Sequence, residues 1–160
     1  MTKSTYPLLN MHFVVEFKNK QFFNDRSFQS VSGLKARVCE NDDSNESDVH
    51  FENIILRRGY QPDSEIVVWC MDAINNKKKK PLDLVVKLLN EEHEMISGWY
   101  IESAVPVAWG VDELHAQETK VLIETIELSY QRFQVLNKKG KAIEQIKTSK
   151  KKDNCINFKN

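Results

Sequence analysis

The sequence predicts a mainly β protein with one short α-helix. Three observations carry that expectation. Alternating apolar and polar residues, rich in β-branched and aromatic types, recur in about seven runs. Apolar residues at spacings of three and four are convincing at one place in the body of the chain. No apolar run approaches the roughly 20 residues that span a bilayer, so the runs belong to a globular domain.

In chain order, the first strand falls in residues 11–17, where Phe13, Val15 and Phe17 alternate with His12, Val14 and Glu16. A polar connection around Phe22 and Phe23 follows, then a run from Phe28 into the bend Ser32-Gly33. Residues 35–39 form a third short strand. Residues 40–48 hold five acidic side chains and no hydrophobic one, which predicts a solvated loop. Strand character returns over residues 50–57, with Phe51, Asn53, Ile55 and Arg57 on one face. Asp63 or Ser64 can cap a helix carrying Ile66, Trp69, Cys70, Ala73 and Ile74, which stops at Asn75-Asn76.

Lys77, Lys78, Lys79 and Lys80 lead through Pro81 into a strand at residues 82–89, and residues 90–94 read as a hairpin turn. Residues 99–109 alternate again. Pro106 within that run implies an edge position or a bulge, because proline donates no ladder hydrogen bond. After a connection at residues 112–117, residues 120–133 read as one long strand. Val121, Ile123 and Phe133 lie on one face of it, and Leu122, Ile126, Leu128 and Tyr130 on the other. A strand apolar on both faces is covered on both, and with one helix available a neighbouring subunit is the expected second cover.

The chain has 160 residues and 18.7 kDa, the size of one ordinary domain. Its 23 basic and 23 acidic side chains cancel, but unevenly. Residues 138–160 hold eight lysines against Glu144 and Asp153, a net of +6, which leaves −6 for residues 1–137. The division is therefore a β domain at 1–137 and a Lys-rich extension at 138–160. An acidic body with no basic residues interleaved among aromatics on a strand face argues against nucleic-acid binding. Cys39, Cys70 and Cys155 are odd in number, sparse and outside any C-x-x-C pair, and no secretory leader is visible, so reduced thiols in a cytosolic setting are expected. His12, His50, His93 and His115 are scattered, and no spacing among them and the cysteines resembles a zinc site.

The order of short motifs resembles a known family. Phe13-Val14-Val15-Glu16-Phe17 followed by Phe28-Gln29-Ser30-Val31-Ser32-Gly33-Leu34 is similar to the opening of contractile phage tail tube proteins. Ile54-Ile55-Leu56-Arg57-Arg58-Gly59, Trp69 on the helix, Trp99 with Ala104-Val105-Pro106-Val107-Ala108-Trp109, and Ile123-Glu124-Thr125-Ile126-Glu127-Leu128-Ser129-Tyr130 continue the likeness across residues 11–136. The resemblance, Hcp-like in fold, implies a tail-tube-like β-barrel or sandwich that assembles into hexameric rings. It implies a structural inner tube subunit of a contractile injection apparatus, whether phage tail, extracellular particle or type VI secretion system. Rings stack inside a sheath, and a baseplate, a spike and lumen cargo are the implied partners. Assembly in the cytoplasm, in a particle then released or anchored at the envelope, is implied with it. A tube-initiating baseplate adaptor is the alternative within the family, and a small nucleic-acid-binding β-barrel is a more remote one.

Subunit-interface candidates are Val121, Ile123, Ile126 and Leu128 on the final strand, Trp109, and an acidic loop with Asp42 and Asp43 facing Lys77 and Lys78 of the next ring. No catalytic, cofactor-binding or metal-binding residues are expected, nor insertion into a membrane. Arg57-Arg58-Gly59 lacks the glycines of a phosphate loop. Glu124 and Glu127, three apart on a strand, cannot form a carboxylate pair and read as interface or lumen charges. Asp112, Glu113 and His115 lack a partner nucleophile and read as loop.

Overall fold

The computed structural model describes residues 8–9, 12–22, 25–40, 43 and 47–143. Its strands are β1 (Phe13–Phe17), β2 (Ser30–Ser32), β3 (Ala36–Glu40), β4 (Ser47–Phe51), β5 (Ile54–Gly59), β6 (Leu82–Leu89), β7 (Met95–Val111), β8 (Ile123–Ser129) and β9 (Arg132–Leu136). Helix α1 (Glu65–Asn75) lies between β5 and β6, and a 3-10 turn spans Lys20–Phe22. The larger sheet runs β1-β6-β7-β8-β5-β2, with β9 also on β7, and β3-β4 form a separate pair. All named strand pairs are antiparallel.

The 17-residue strand β7 turns one sheet into a sandwich. Its first half pairs β6 and β9, and its second half pairs β8. The hinge is Ser103, which adopts φ +55° where the β6 register shifts between Leu82 and Leu84. Asp83 of β6 holds this bulge: its carboxylate accepts from the Ser103 N–H at 2.9 Å and from the Tyr100 hydroxyl at 2.7 Å. An extra residue in one strand bends it and switches which side chains face inward. Accordingly Trp99 and Ile101 are followed inward by Ala104 and Pro106, not by the Ser103, Val105 and Val107 that simple alternation implies. The register also shifts between Pro106 and Ala108, the bulge that the proline signalled.

Val15, Phe17, Leu84, Val86 and Ile101 from one layer meet Ile54, Leu56, Ile126 and Leu128 from the other in one core, with Ile66, Trp69 and Cys70 of α1. Ser64 caps α1, its hydroxyl accepting from the Ile66 N–H at 3.1 Å, and Trp69 donates to the Lys80 carbonyl at 2.8 Å. The architecture is a sandwich and not a closed barrel.

Four expectations change. The residues 40–48 loop is the end of a hairpin, since β3 runs to Glu40 and β4 begins at Ser47 opposite it. Residues 50–57 are two strands split at Glu52-Asn53, and the face buried on β5 is Ile54, Leu56 and Arg58. Residues 120–133 are likewise not continuous: β8 ends at Ser129, and β9 crosses to the other layer to pair β7. Only one face of β8 is fully buried, by Glu124, Ile126 and Leu128. Cys39 is disulfide-bonded, whereas Cys70 is free and buried.

After β9 the chain turns back through Gly140 (φ +75°), and Ala142 bridges to Leu136. The proposed boundary at 137 thus falls inside an ordered turn. Residues 144–160, most of the basic extension, lie outside the described residues.

Candidate assembly surfaces

Beneath the surface, β5 and β8 share a charged centre that fixes what the outside can present. Period-two alternation turns Arg58 inward with Ile54 and Leu56, and Glu124 inward with Ile126 and Leu128. The two are register partners, and the Arg58 Nε–H donates to Glu124 Oε1 at 2.5 Å. Arg58 donates further to Asp25 at 2.7 Å and to the Ser64 hydroxyl at 2.6 Å, and its guanidinium lies 5.2 Å from the Phe28 ring centroid. Ser64 donates to Asp25 at 2.7 Å, and Trp109 Nε1–H donates to the second Glu124 oxygen at 2.9 Å. One network therefore joins β5, β7, β8, the helix cap and the segment before β2. Glu124 is a core residue and not an interface or lumen charge. The same alternation could have revealed it, since Arg58 shares the parity of the apolar residues beside it. Burial, with Glu124 nearby, pushes the Cys70 thiol up to about 12, which keeps it protonated and inert.

Three surfaces remain available for assembly. The β3–β4 hairpin stands as its own two-stranded sheet, with Val38 and Val49 directly opposite each other and both exposed. Its root is held by Phe51, whose ring meets Phe133 at 5.1 Å and Tyr130 at 6.0 Å, and by Arg37 and Lys35 on Glu52. A two-stranded hairpin is marginal alone in water, so this one is poised for a covering surface. Second, β1 and β2 end the sheet path, and no further strand pairs their outer sides among the described residues, although the Val15 N–H of β1 donates to the Arg26 carbonyl at 3.2 Å. Third, the segment between β7 and β8 carries Leu114 and Val121, 76% and 75% exposed, beside the exposed Val107 and Val111.

The interface candidates divide accordingly. Ile126 and Leu128 are fully buried within the protomer's own core, which corrects their assignment to a subunit surface. Ile123 is half-buried at the start of β8, and Trp109 packs on Tyr60 at 5.8 Å. Val121 is exposed, as are Lys77, Lys78 and Asp43, while Asp42 lies outside the described residues. The sequence reading placed Val38 in a short strand but did not pair that strand with the one holding Val49, so it missed the two valines as an exposed pair. Arg57 pairs with Asp112 at 3.3 Å, tying the β7–β8 segment to β5.

The family profile described as T4-like virus tail tube protein gp19 matches residues 9–134. The chain belongs to that tail tube family. A chain in the baseplate structure of the anti-feeding prophage is 26% identical over 84% of this chain and 99% of its own, with a TM-score of 0.71. A chain of the PVC extracellular contractile injection system, solved as a sheath–tube complex in the extended state, is 22% identical with a TM-score of 0.64, covering 84% and 94%. Hcp1 from Flavobacterium johnsoniae shares the fold at 12% identity and a TM-score of 0.55, over 83% and 98%. No curated protein matches this tail tube chain significantly in sequence. No helix among its described residues is long and apolar enough to cross a membrane.

Proposed function

We propose that this chain is the main inner tube subunit of a contractile injection particle, acting by assembly and not by catalysis. Six copies close a ring through the open strand edges, and rings stack within a sheath on a baseplate and spike, leaving a lumen for cargo. Assembly takes place in the cytoplasm, before the particle is released or anchored at the envelope. The observation that carries this reading is the β3–β4 hairpin: among the described residues it is a separate two-stranded arm, packed on the larger sheet at its root through Phe51, with the apolar Val38 and Val49 exposed. Closing edges across neighbours removes them, and head-to-tail contacts that close give rings. Asp43, near the hairpin end, and the exposed Lys77 and Lys78 supply opposite charges for contact between successive rings.

A second reading, a tube-initiating adaptor, is favoured by the 26% identity to a chain in a baseplate structure. Negative-stain imaging of the purified chain, alone and mixed with isolated baseplates, separates the two. Long stacked tubes are expected for the main subunit, and isolated rings for the adaptor. Monomers alone under both conditions would overturn both readings. Salt-dependent DNA binding would point instead to the nucleic-acid module.

A further inference from the structure

His12, entering β1, and His93, in the β6–β7 turn, are 81 residues apart in sequence yet in contact. His12 Nδ1 faces the Asn90 carbonyl at 3.0 Å. A carbonyl only accepts, so Nδ1 carries the hydrogen and Nε2 keeps its lone pair. That lone pair faces His93 Nδ1 at 3.1 Å. The turn is itself built firmly. Asn90 Oδ1 accepts from the Glu92 and Glu94 N–H groups at 2.9 Å each, and His93 sits at φ +64°.

The contact is a bent imidazole–imidazole hydrogen bond and not a head-on one. Two rings joined head-on at this N···N distance would have centroids roughly 5.4 Å apart. The observed centroids are 4.6 Å apart, with the rings at 86°. Two imidazoles sharing one ion at ordinary Zn–N lengths, with this N···N separation, would have centroids about 4.8 Å apart. The separation of the two rings is thus close to that of two ligands of one ion, which would replace the hydrogen bond between them. A second-position N–H donated to a backbone carbonyl is also the usual way a metal-binding histidine is oriented.

We propose that His12 and His93 form a two-imidazole site for a late first-row divalent ion, Zn2+ or Cu2+. No third His, Cys, Asp or Glu stands with them among the described residues, so water completes the coordination. Glu91, Glu92 and Glu94 in the same turn make the local field favourable to a cation. Bound there, the ion pins the start of β1 to the β6–β7 turn, where Leu89 N–H already donates to the His12 carbonyl at 2.8 Å. The site is independent of the tube reading.

The test is calorimetric titration of the purified full chain with ZnCl2, repeated with CuCl2 followed by electron paramagnetic resonance. The unchanged chain should bind one ion per chain at a site showing nitrogen coupling to Cu2+. H93N removes the imidazole and keeps a residue suited to the left-handed turn. It should weaken binding by about tenfold or more, as loss of a second tethered ligand does. H50Q and H115Q should leave the site intact. Zn2+ should raise the melting temperature of the unchanged chain but not that of H93N, and the two should melt alike without metal. Binding undiminished in H93N, or a site that follows His50 or His115, would overturn the proposal.

Discussion

Arg58 and Glu124 face each other across the β5–β8 pair, 2% and 0% exposed, with Nε and Oε1 2.5 Å apart. A charge pair so enclosed is costly to break from either side, because the survivor stays buried without its partner. Arg58 serves two carboxylates, Glu124 and Asp25, so its loss is the worse of the two. R58M is expected to destabilise by about 3–5 kcal/mol or to prevent folding, and E124Q by less, since the amide oxygen still accepts from one of Arg58 and Trp109 while only the other donor is left facing the NH2. Urea unfolding monitored by tryptophan fluorescence gives the order. Equal losses would overturn that order.

Gly33 sits at a bend that requires glycine. It lies at φ +87°, and a Cβ there would stand 2.0 Å from the Asn53 carbonyl oxygen. The conformational penalty of a left-handed alanine alone is on the order of 1–3 kcal/mol. G33A should exceed it, because the clash is with backbone. Its β2–β5 amides should also lose hydrogen-exchange protection before those of β6. Protection unchanged from the parent would refute this.

Glu16 on β1 is held below the ordinary carboxylate range, chiefly by its hydrogen bond with Lys87 at 2.9 Å, with Lys18 adding to it and partial burial opposing. A depressed folded value means that its stabilisation is present above the unfolded carboxylate range and is lost as pH falls through the folded value. Stability curves measured from neutral pH down through that range should fall more steeply for the parent than for E16Q. Parallel curves would remove Glu16 from the acid response.

Charges on the hairpin should separate assembly from folding. Val38 is 65% exposed and Val49 lies opposite it, so V38D and V49D are expected to shift protomer stability by about 0.5 kcal/mol or less. The same changes should abolish tubes or rings under the electron microscope. Normal tubes from V38D/V49D would remove the hairpin from the assembly interface.

Much of the fold was legible because it depends on local chemistry. The Ser64 cap, the spacing of Ile66, Trp69 and Cys70 and the stop at Asn76 marked α1, and Pro81 with the Asn90 turn bracketed β6. Pro106 announced its bulge. The errors came where a distant residue intervenes. Asp83 flips the phase of β7 at Ser103, and Tyr130-Gln131, a break without glycine or proline, sends β9 to the other layer. The hairpin was hidden because Glu40 and Ser47, polar in composition, pair as strand ends through backbone bonds that composition does not report. Val121, Lys77 and Lys78 were expected on the outside and are exposed. Ile126 and Leu128 were misplaced because an apolar residue does not announce which side will cover it.

By itself the sequence determined the β class, the single helix, the motif order of a tail tube protein and the split between an acidic body and a basic end. Each of these rests on near-neighbour periodicity or on counting. Only the tertiary structure decided that Glu124 is a core partner of Arg58, that His12 meets His93, and that Val38 and Val49 of the hairpin and Leu114 and Val121 between β7 and β8 stay exposed. Those outcomes depend on the antiparallel register of strands dozens of residues apart, and register is fixed by the packing of the whole sandwich, which no local window contains.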